Sequence, residues 1–232
     1  MIDAKNLLNQ FLGSQAGGSQ GGGAPRESGN RAGGLGGLGG FAGGAAAGGI
    51  LGMLLGGKRK GGLLSHGGAA VIGALAHRAW QNWQAGQANP GPAVSDERFL
   101  PGAAPAANGE AFELSLIRAM IGAARADGHI DATEQGRIFA QVEKAGLDAE
   151  AKAFVFDTLN APIGVSEVAA AARTPEQAAE LYLISRMAMD VDQPAERAYL
   201  AALAHRLSLP ADLVTMLDRE AATPGDPQPA LR

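Results

Sequence analysis

Helical spacing of apolar residues is clearest in residues 112–146, FELSLIRAMIGAARADGHIDATEQGRIFAQVEKAG. In the first half of this stretch, apolar residues recur at intervals of three and four, as on one face of a helix. The residues with this spacing are Phe112, Leu116, Ala119, Met120 and Ala123. The pattern predicts a helix from about residue 110 to residue 126. Gly128 can close it, because glycine readily adopts the left-handed conformation that follows a helix end.

A second helix is predicted to begin at Asp131, within the same stretch. Asp131 can cap the N-terminus, and Glu134, three residues later, completes a variant of the capping box. The inward face of this helix would carry Ile138, Phe139 and Val142. A glycine at position 146 is expected to end it.

Similar helix-start signals recur downstream, at Asp148, Ser166, Thr174 with Pro175, Pro194 with Glu196, and Pro210. No stretch alternates with the period of two that a half-buried strand requires. The sequence therefore predicts an all-helical domain of six or seven helices over residues 108–222, followed by a disordered tail at residues 223–232. The predicted core consists of Phe112, Leu116, Met120, Ile138, Phe139, Val142, Phe154, Leu181, Ile184, Leu200 and Leu203.

The composition divides the chain into two parts. Residues 1–100 hold 27 of the 35 glycines and carry a formal charge of +4, whereas residues 101–232 carry −8. Large apolar side chains are scarce in the first part, and glycine loses more backbone entropy on folding than any other residue. The second part is long enough to bury one core. We therefore expect a single folded domain at the C-terminal end.

Residues 1–32 are predicted to be an amphipathic N-terminus followed by a Gly/Ser-rich linker. Five apolar residues could share one face of a short helix: Ile2, Leu7, Leu8, Phe11 and Leu12. That face could contact a membrane or a partner. A helix of about a dozen residues is marginal in isolation, so a frayed terminus is an equally good interpretation. The segment has no apolar core of the length that secretory signals need.

Residues 33–83 are predicted to be a Gly/Ala-rich, membrane-associated segment. Residues 33–57 carry no charge, and a second charge-free run, residues 61–77, follows the basic triplet at residues 58–60. Both runs approach the roughly 20 residues that cross a bilayer, and Trp80 and Trp83 lie where an interfacial belt would fall. If both runs insert as a hairpin, the basic triplet favours a cytoplasmic turn.

Glycine also recurs at every fourth position from Gly36 to Gly56. On a helix these positions would form a stripe where a second backbone can pack closely, which predicts self-association in lipid. The expected partners are therefore membrane lipid, another membrane protein or a second copy of the chain. Because glycine is a poor helix former, a low-complexity segment without membrane contact is the alternative. Residues 84–107 contain four prolines and are predicted to be an extended linker.

The corner between the first two predicted helices partly matches a calcium-binding loop. Asp127, Gly128 and Glu134 fit the end of that pattern. Ala123 and Arg125 stand where earlier ligands should be, so the loop alone falls short of the about six to eight oxygens that calcium takes. A self-sufficient calcium loop is not predicted.

A second acidic corner lies at residues 189–197, MDVDQPAER. If the two corners meet in space, they supply up to six carboxylates and a plausible site for a hard divalent cation, Ca²⁺ or Mg²⁺. The structural alternative is also sound. Asp131 and Asp192 are suitable N-caps, and Glu134 and Glu196 suit the positive end of a helix dipole.

Two stretches of the C-terminal half resemble the tellurite-resistance TerB-like domain. They are LIRAMIGAARADGHIDATEQGRI at residues 116–138 and LYLISRMAMDVDQPAERAYLAALAHRLSLP at residues 181–210. Residues 61–84, GGLLSHGGAAVIGALAHRAWQNWQ, extend the likeness. Together they resemble a bacterial inner-membrane family of unknown function that joins a Gly/Ala-rich N-terminal part to such a domain. The resemblance covers about residues 50–220.

The resemblance implies an all-helical fold, a location at the bacterial inner (cytoplasmic) membrane and a divalent-cation site. The implied ligands are Asp127, Asp131, Glu134, Asp190, Asp192 and Glu196. It implies no reaction, because the family it points to has no established one.

Several classes of function find no support in the residues. There is no cysteine, which excludes disulfides, thiolate zinc sites and cysteine nucleophiles. The four histidines are scattered, the serines lack a nucleophile elbow, and the glycine-rich runs lack a phosphate-loop lysine. The acidic C-terminal half argues against a nucleic-acid partner.

The sequence therefore predicts a non-enzymatic, membrane-associated scaffold or sensor with no catalytic residues. A role in envelope stress or metal stress is implied by the resemblance alone. The alternative is a metal-dependent enzyme that uses the same acidic corners.

Overall fold

A computed structural model of the chain describes residues 2–12, 68–100, 102–126, 147–189 and 191–222. These residues form eight α-helices, one short 3₁₀ helix and no strand. The helices are α1 (Ala4–Leu12), α2 (Gly68–Ala85), α3 (Phe112–Ala124), α4 (Ala149–Asn160), α5 (Val165–Ala170), α6 (Pro175–Met187), α7 (Pro194–Arg206) and α8 (Ala211–Ala222). The 3₁₀ helix, Asp96–Phe99, lies between α2 and α3. The all-helical prediction is confirmed for these residues.

Two of the predicted helix starts have the expected capping contacts. The Asp148 carboxylate accepts a hydrogen bond from the backbone N–H of Ala151 at 2.7 Å, and the Thr174 hydroxyl accepts one from the N–H of Gln177 at 3.3 Å. Each contact satisfies a backbone donor that the first helical turn would otherwise leave unpaired. The predicted helix that starts at Asp131 and the predicted tail at residues 223–232 lie outside the described residues.

Most of the predicted core is buried where the structure describes it. The buried members are Phe112, Leu116, Met120, Leu181, Ile184, Leu200 and Leu203. Phe154 is only partly buried: the Arg118 guanidinium lies over its ring, 4.9 Å from the centroid, at the edge of the bundle. The other three, Ile138, Phe139 and Val142, lie outside the described residues.

Helix α2 lies inside the bundle, although the sequence places it in the Gly/Ala-rich segment. It packs against α1, α6 and α8, with Ile72 fully buried. The Arg78 Nε donates a hydrogen bond of 2.8 Å to the Glu220 carboxylate, which ties α2 to α8. Trp80, predicted to lie in a membrane interface, is buried against Phe99 with 6.1 Å between the ring centroids.

The segment predicted as an extended linker, residues 84–107, packs on α2 and α6 in its described part. Phe99 is buried against α2, where a Cβ at Gly73 would lie 1.8 Å from the Phe99 carbonyl oxygen. Such a close approach requires a residue without a side chain. The Gln177 amide also donates hydrogen bonds to the carbonyls of Ala104 and Pro105, at 3.0 and 3.1 Å. The Pro/Gly/Ala-rich composition of residues 84–107 does not reveal these contacts.

Helix α1 closes one side of the bundle, against α2 and α3. Its apolar face is buried by the chain itself, and the residues on it are Ala4, Leu7, Leu8, Phe11 and Leu12. The Asp3 carboxylate accepts a hydrogen bond of 2.9 Å from the N–H of Asn6 and so caps the first turn. The prediction of an amphipathic helix here agrees with the structure. The alternative, a frayed terminus, does not, because the apolar face of α1 packs against α2 and α3.

None of the described helices is long and apolar enough to span a bilayer. The run at residues 33–57 lies outside the described residues, and residues 68–77 of the second run belong to α2. The predicted domain boundaries stay predictions. The packing of α1, α2 and the 3₁₀ helix leads us to expect a folded unit that begins before residue 108.

Candidate functional site

The predicted cation site falls mostly outside the described residues. Asp127, Asp131, Glu134 and Asp190 are not described, so the six-carboxylate site stays a prediction. Within the described ranges, no group of three or more potential ligand side chains is placed to hold a metal ion.

The two described members, Asp192 and Glu196, lie at the start of α7. The N-cap of α7 is Gln193, which corrects the prediction of Asp192. The cap moves because the helix begins directly at Pro194, whose ring already fixes the backbone for the first helical position. The Gln193 N–H donates to the Glu196 carboxylate at 3.0 Å, as in a capping box. Glu196 thus has a structural role, whereas the exposed Asp192 side chain is not the cap.

Val191, next to Asp192, has a strained backbone. Its φ is +52°, in the left-handed region that a β-branched residue rarely adopts. The Arg197 guanidinium holds this turn from outside by donating a 2.9 Å hydrogen bond to the Asp192 carbonyl. Strain of this kind is concentrated at functional sites. It marks the second acidic corner without identifying a ligand.

Three glutamates form a buried carboxyl cluster that the sequence analysis did not predict. Glu113 on α3 and Glu176 and Glu180 on α6 have exposed fractions of 5%, 3% and 5%. The Arg98 guanidinium from the 3₁₀ helix lies 3.2 Å from one Glu176 oxygen. The second Glu176 oxygen is buried with no hydrogen-bond partner among the described residues. A buried carboxylate without compensating charge is destabilising. Ionising all three glutamates would therefore cost a large amount of folding free energy.

Glu180 is the member of the cluster whose carboxyl group holds its proton most strongly. Burial raises the pKa of Glu180 well above the usual range for glutamate, and the negative charges of Glu113 and Glu176 raise it further. The folded protein therefore keeps a proton at Glu180 at pH values where the unfolded chain has released it. The stabilisation from this proton is complete below the unfolded pKa, about 4.3. It is lost as pH rises towards and through the folded pKa.

The substitution Glu180→Gln is expected to stabilise the protein at alkaline pH. Glutamine has nearly the same shape but needs no proton to remain neutral, so its benefit grows as pH rises. We expect a melting temperature a few degrees above wild type at pH 8.5 and little difference at pH 5. The matched control is Glu97→Gln. Glu97 and Glu180 line one small cavity beside Arg98, but Glu97 is exposed. Parallel melting curves for Glu180→Gln and wild type at every pH would contradict the prediction.

A larger cavity, of about 670 Å³, lies between α3, α4 and α5. Its walls are formed by Asn108, Ser115, Arg118, Phe154, Asp157, Thr158, Ala161, Pro162, Ile163, Glu167, Val168, Ala170 and Ala171. This volume is in the range of small-molecule sites, roughly 300–1,000 Å³. The Arg118 guanidinium reaches the cavity while paired with Glu110, and that pairing lowers the pKa of Glu110 below its usual range.

The family comparison agrees with a folded unit that includes α2. The chain matches the family model described as "Protein of unknown function (DUF533)" over residues 40–221. The chain belongs to this family. The match begins ahead of α2, so the DUF533 region includes α2 and the 3₁₀ helix as well as α3–α8.

One curated relative of this DUF533 protein comes from Yersinia enterocolitica and is described as "Uncharacterized protein in ampR 5'region". It is 35% identical over 98 residues, which make up 42% of this chain and 70% of the relative. No solved structure matches the chain. The comparisons therefore establish the family and assign no activity.

Sequence reasoning missed the glutamate cluster for a specific reason. Glu176 and Glu180 are one turn apart on α6, and charged residues at this spacing usually mark a solvated face. Here the segment before α3 covers that face and contributes Arg98. The available signal was Phe99, a large apolar side chain beside Arg98 in a segment otherwise typical of a linker.

Proposed function

We propose that this DUF533 protein is a non-enzymatic, membrane-associated scaffold or sensor whose helical bundle lies on one side of the bilayer. The observation that supports the proposal most is the packing of α1 against α2 and α3. That packing fixes both ends of the glycine-rich region, residues 13–67, to the same bundle.

The fixed ends limit how the glycine-rich region can contact a membrane. A segment that leaves one bundle and returns to it must cross a bilayer an even number of times. Two crossings need about 20 apolar residues each. Residues 33–57 supply 25 charge-free residues, but only the seven of residues 61–67 remain before α2 begins. We therefore expect residues 33–57 to contact lipid without crossing, in place of the double-span hairpin.

The remaining parts of the proposal rest on the resemblance to known families. They are the TerB-like nature of the helical domain, the inner-membrane location, and the role in envelope or metal stress. A bundle in which α1 and α2 pack against the later helices suits a scaffold that presents one attached lipid-contacting segment.

Vesicle flotation tests the membrane contact. The full chain should float with vesicles made from bacterial polar lipids. A variant in which residues 33–57 are replaced by an equally long Gly/Ser segment should stay at the bottom of the gradient, because it loses the apolar residues and keeps the bundle. The control replaces residues 14–32 in the same way and should float like the full chain. Equal flotation of all three proteins, or of none, would remove residues 33–57 from the proposal.

A divalent-cation site at the acidic corners remains part of the proposal, and the strained Val191 favours a special role for the second corner. A ligand that binds only the folded state raises its stability. Adding Ca²⁺ or Mg²⁺ should therefore raise the melting temperature of the wild type but not that of Asp192→Asn. If the cations leave the melting curves of both proteins unchanged, the cation site is removed from the proposal, and with it the alternative of a metal-dependent enzyme.

A further inference from the structure

We propose that the cavity between α3, α4 and α5 is a binding site for a small molecule with a carboxylate group and an apolar body. None of the residues that line the cavity belongs to the acidic corners or to the glycine-rich region, and the proposal does not depend on the proposed membrane contact. Its large volume, about 670 Å³, sets the scale of the ligand.

The buried donors in the cavity are the first argument. Ser115 on α3 is 2% exposed, and its hydroxyl is buried with no hydrogen-bond partner among the described residues. Thr158 on α4 is also buried and lines the same cavity. A buried hydroxyl without a partner is costly, so a ligand that accepts hydrogen bonds would relieve the cost.

The charge at the cavity wall is the second argument. Arg118 is three residues after Ser115, so both lie on the same face of α3. Its guanidinium is held over the Phe154 ring at 4.9 Å and is paired with Glu110. A guanidinium has five N–H donors, so the pairing with Glu110 leaves donors for a second carboxylate. Arginine suits this role because its planar donors match a carboxylate in a bidentate geometry.

The remaining walls define the rest of the ligand. Val168 is buried and Ile163 partly buried, and both line the cavity as apolar surface. Among the described lining residues, the acidic side chains are Asp157 and Glu167, and both are exposed and therefore solvated at the cavity rim. The Glu167 carboxylate is also engaged by the Gly164 N–H at 3.0 Å. The buried polar groups thus favour an anionic head, and the apolar walls favour a hydrocarbon body.

Three probes of equal chain length test the sign of the charge. Octanoate, octylammonium and octanol would each be titrated into the full-length protein, with backbone amide NMR shifts of residues 115–118 and 154–158 as the readout. We expect octanoate to bind at least about tenfold more tightly than octylammonium, a ratio typical of losing one charge-assisted hydrogen bond. Octylammonium binding as tightly, or all three probes binding alike, would overturn the proposal.

Two substitutions test the assigned residues. Arg118→Gln should weaken octanoate binding about tenfold, whereas the control Arg219→Gln, at an exposed position on α8, should not change it.

Ser115→Ala should weaken binding while leaving the melting temperature unchanged or higher, because it removes an unpaired buried hydroxyl. This opposite movement of affinity and stability would not arise from a structural role. If Arg118→Gln fails to fold, Ser115→Ala and the probe comparison decide. Unchanged octanoate affinity in Ser115→Ala would contradict the assignment.

Discussion

A fragment of residues 108–222 is expected to lose cooperative unfolding, although its sequence has the features of an independent helical domain. The fragment lacks α1, α2 and the 3₁₀ helix. It would expose the surfaces of α6 and α8 that α2 covers and the surface of α3 that α1 covers. Buried side chains such as Ile72, Phe11 and Phe99 would be lost from the core. Burial of each contributes about 1.5–3 kcal/mol, against a total stability of roughly 5–15 kcal/mol for a typical domain.

Lost ion pairs add a smaller amount. Glu220 would lose Arg78, and Glu176 would lose Arg98. Both glutamates are buried in the complete fold, but the deletion also exposes them to water, so each lost pair should cost only about 0–1 kcal/mol, as at a protein surface. Arg98 is more than half exposed, so its contribution should be smaller than that of Arg78.

Thermal unfolding followed by circular dichroism measures the effect. The matched control replaces residues 13–67 with a flexible Gly/Ser linker, so that α1 and α2 remain joined to the rest of the fold. We expect a sharp, reversible transition for the control and a broad transition or aggregation for residues 108–222. A sharp transition for the shorter fragment, close to that of the control, would show that α1 and α2 are dispensable.

The helices from α3 onward could be predicted because local signals agree with the final packing. Asp148 and Thr174 cap the helices that their sequence positions predict. Leu181 and Ile184 have the helical spacing of a buried face, and both are fully buried. These signals depend on neighbouring residues and not on the rest of the fold.

The role of the N-terminal half could not be predicted from the same signals. Helix α2 is rich in Gly and Ala, a composition that also suits lipid or a low-complexity segment. Its place in the core depends on contacts distant in sequence, such as Arg78 with Glu220. The close approach of Phe99 to Gly73 likewise appears only when both segments are folded together. Composition reports the average of a segment and not the few residues that anchor it.

The same contrast between local and long-range signals applies to the candidate sites. The acidic corners were visible because their carboxylates are close together in sequence. The glutamate cluster and the cavity at Ser115 each combine residues from separate helices, with no motif to join them.

The central claim, that α1 and the bundle lie on the same side of the membrane, is tested most directly by cysteine labelling. The chain has no cysteine, so Lys5→Cys on α1 and Ala202→Cys on α7 each provide a single thiol at an exposed position. Each variant would be treated with a membrane-impermeant maleimide in spheroplasts of a bacterial host, before and after permeabilisation. Our account predicts that both positions react alike in each condition, because α1 packs in the bundle. Reaction of one position in intact spheroplasts and of the other only after permeabilisation would place α1 across the membrane and contradict it.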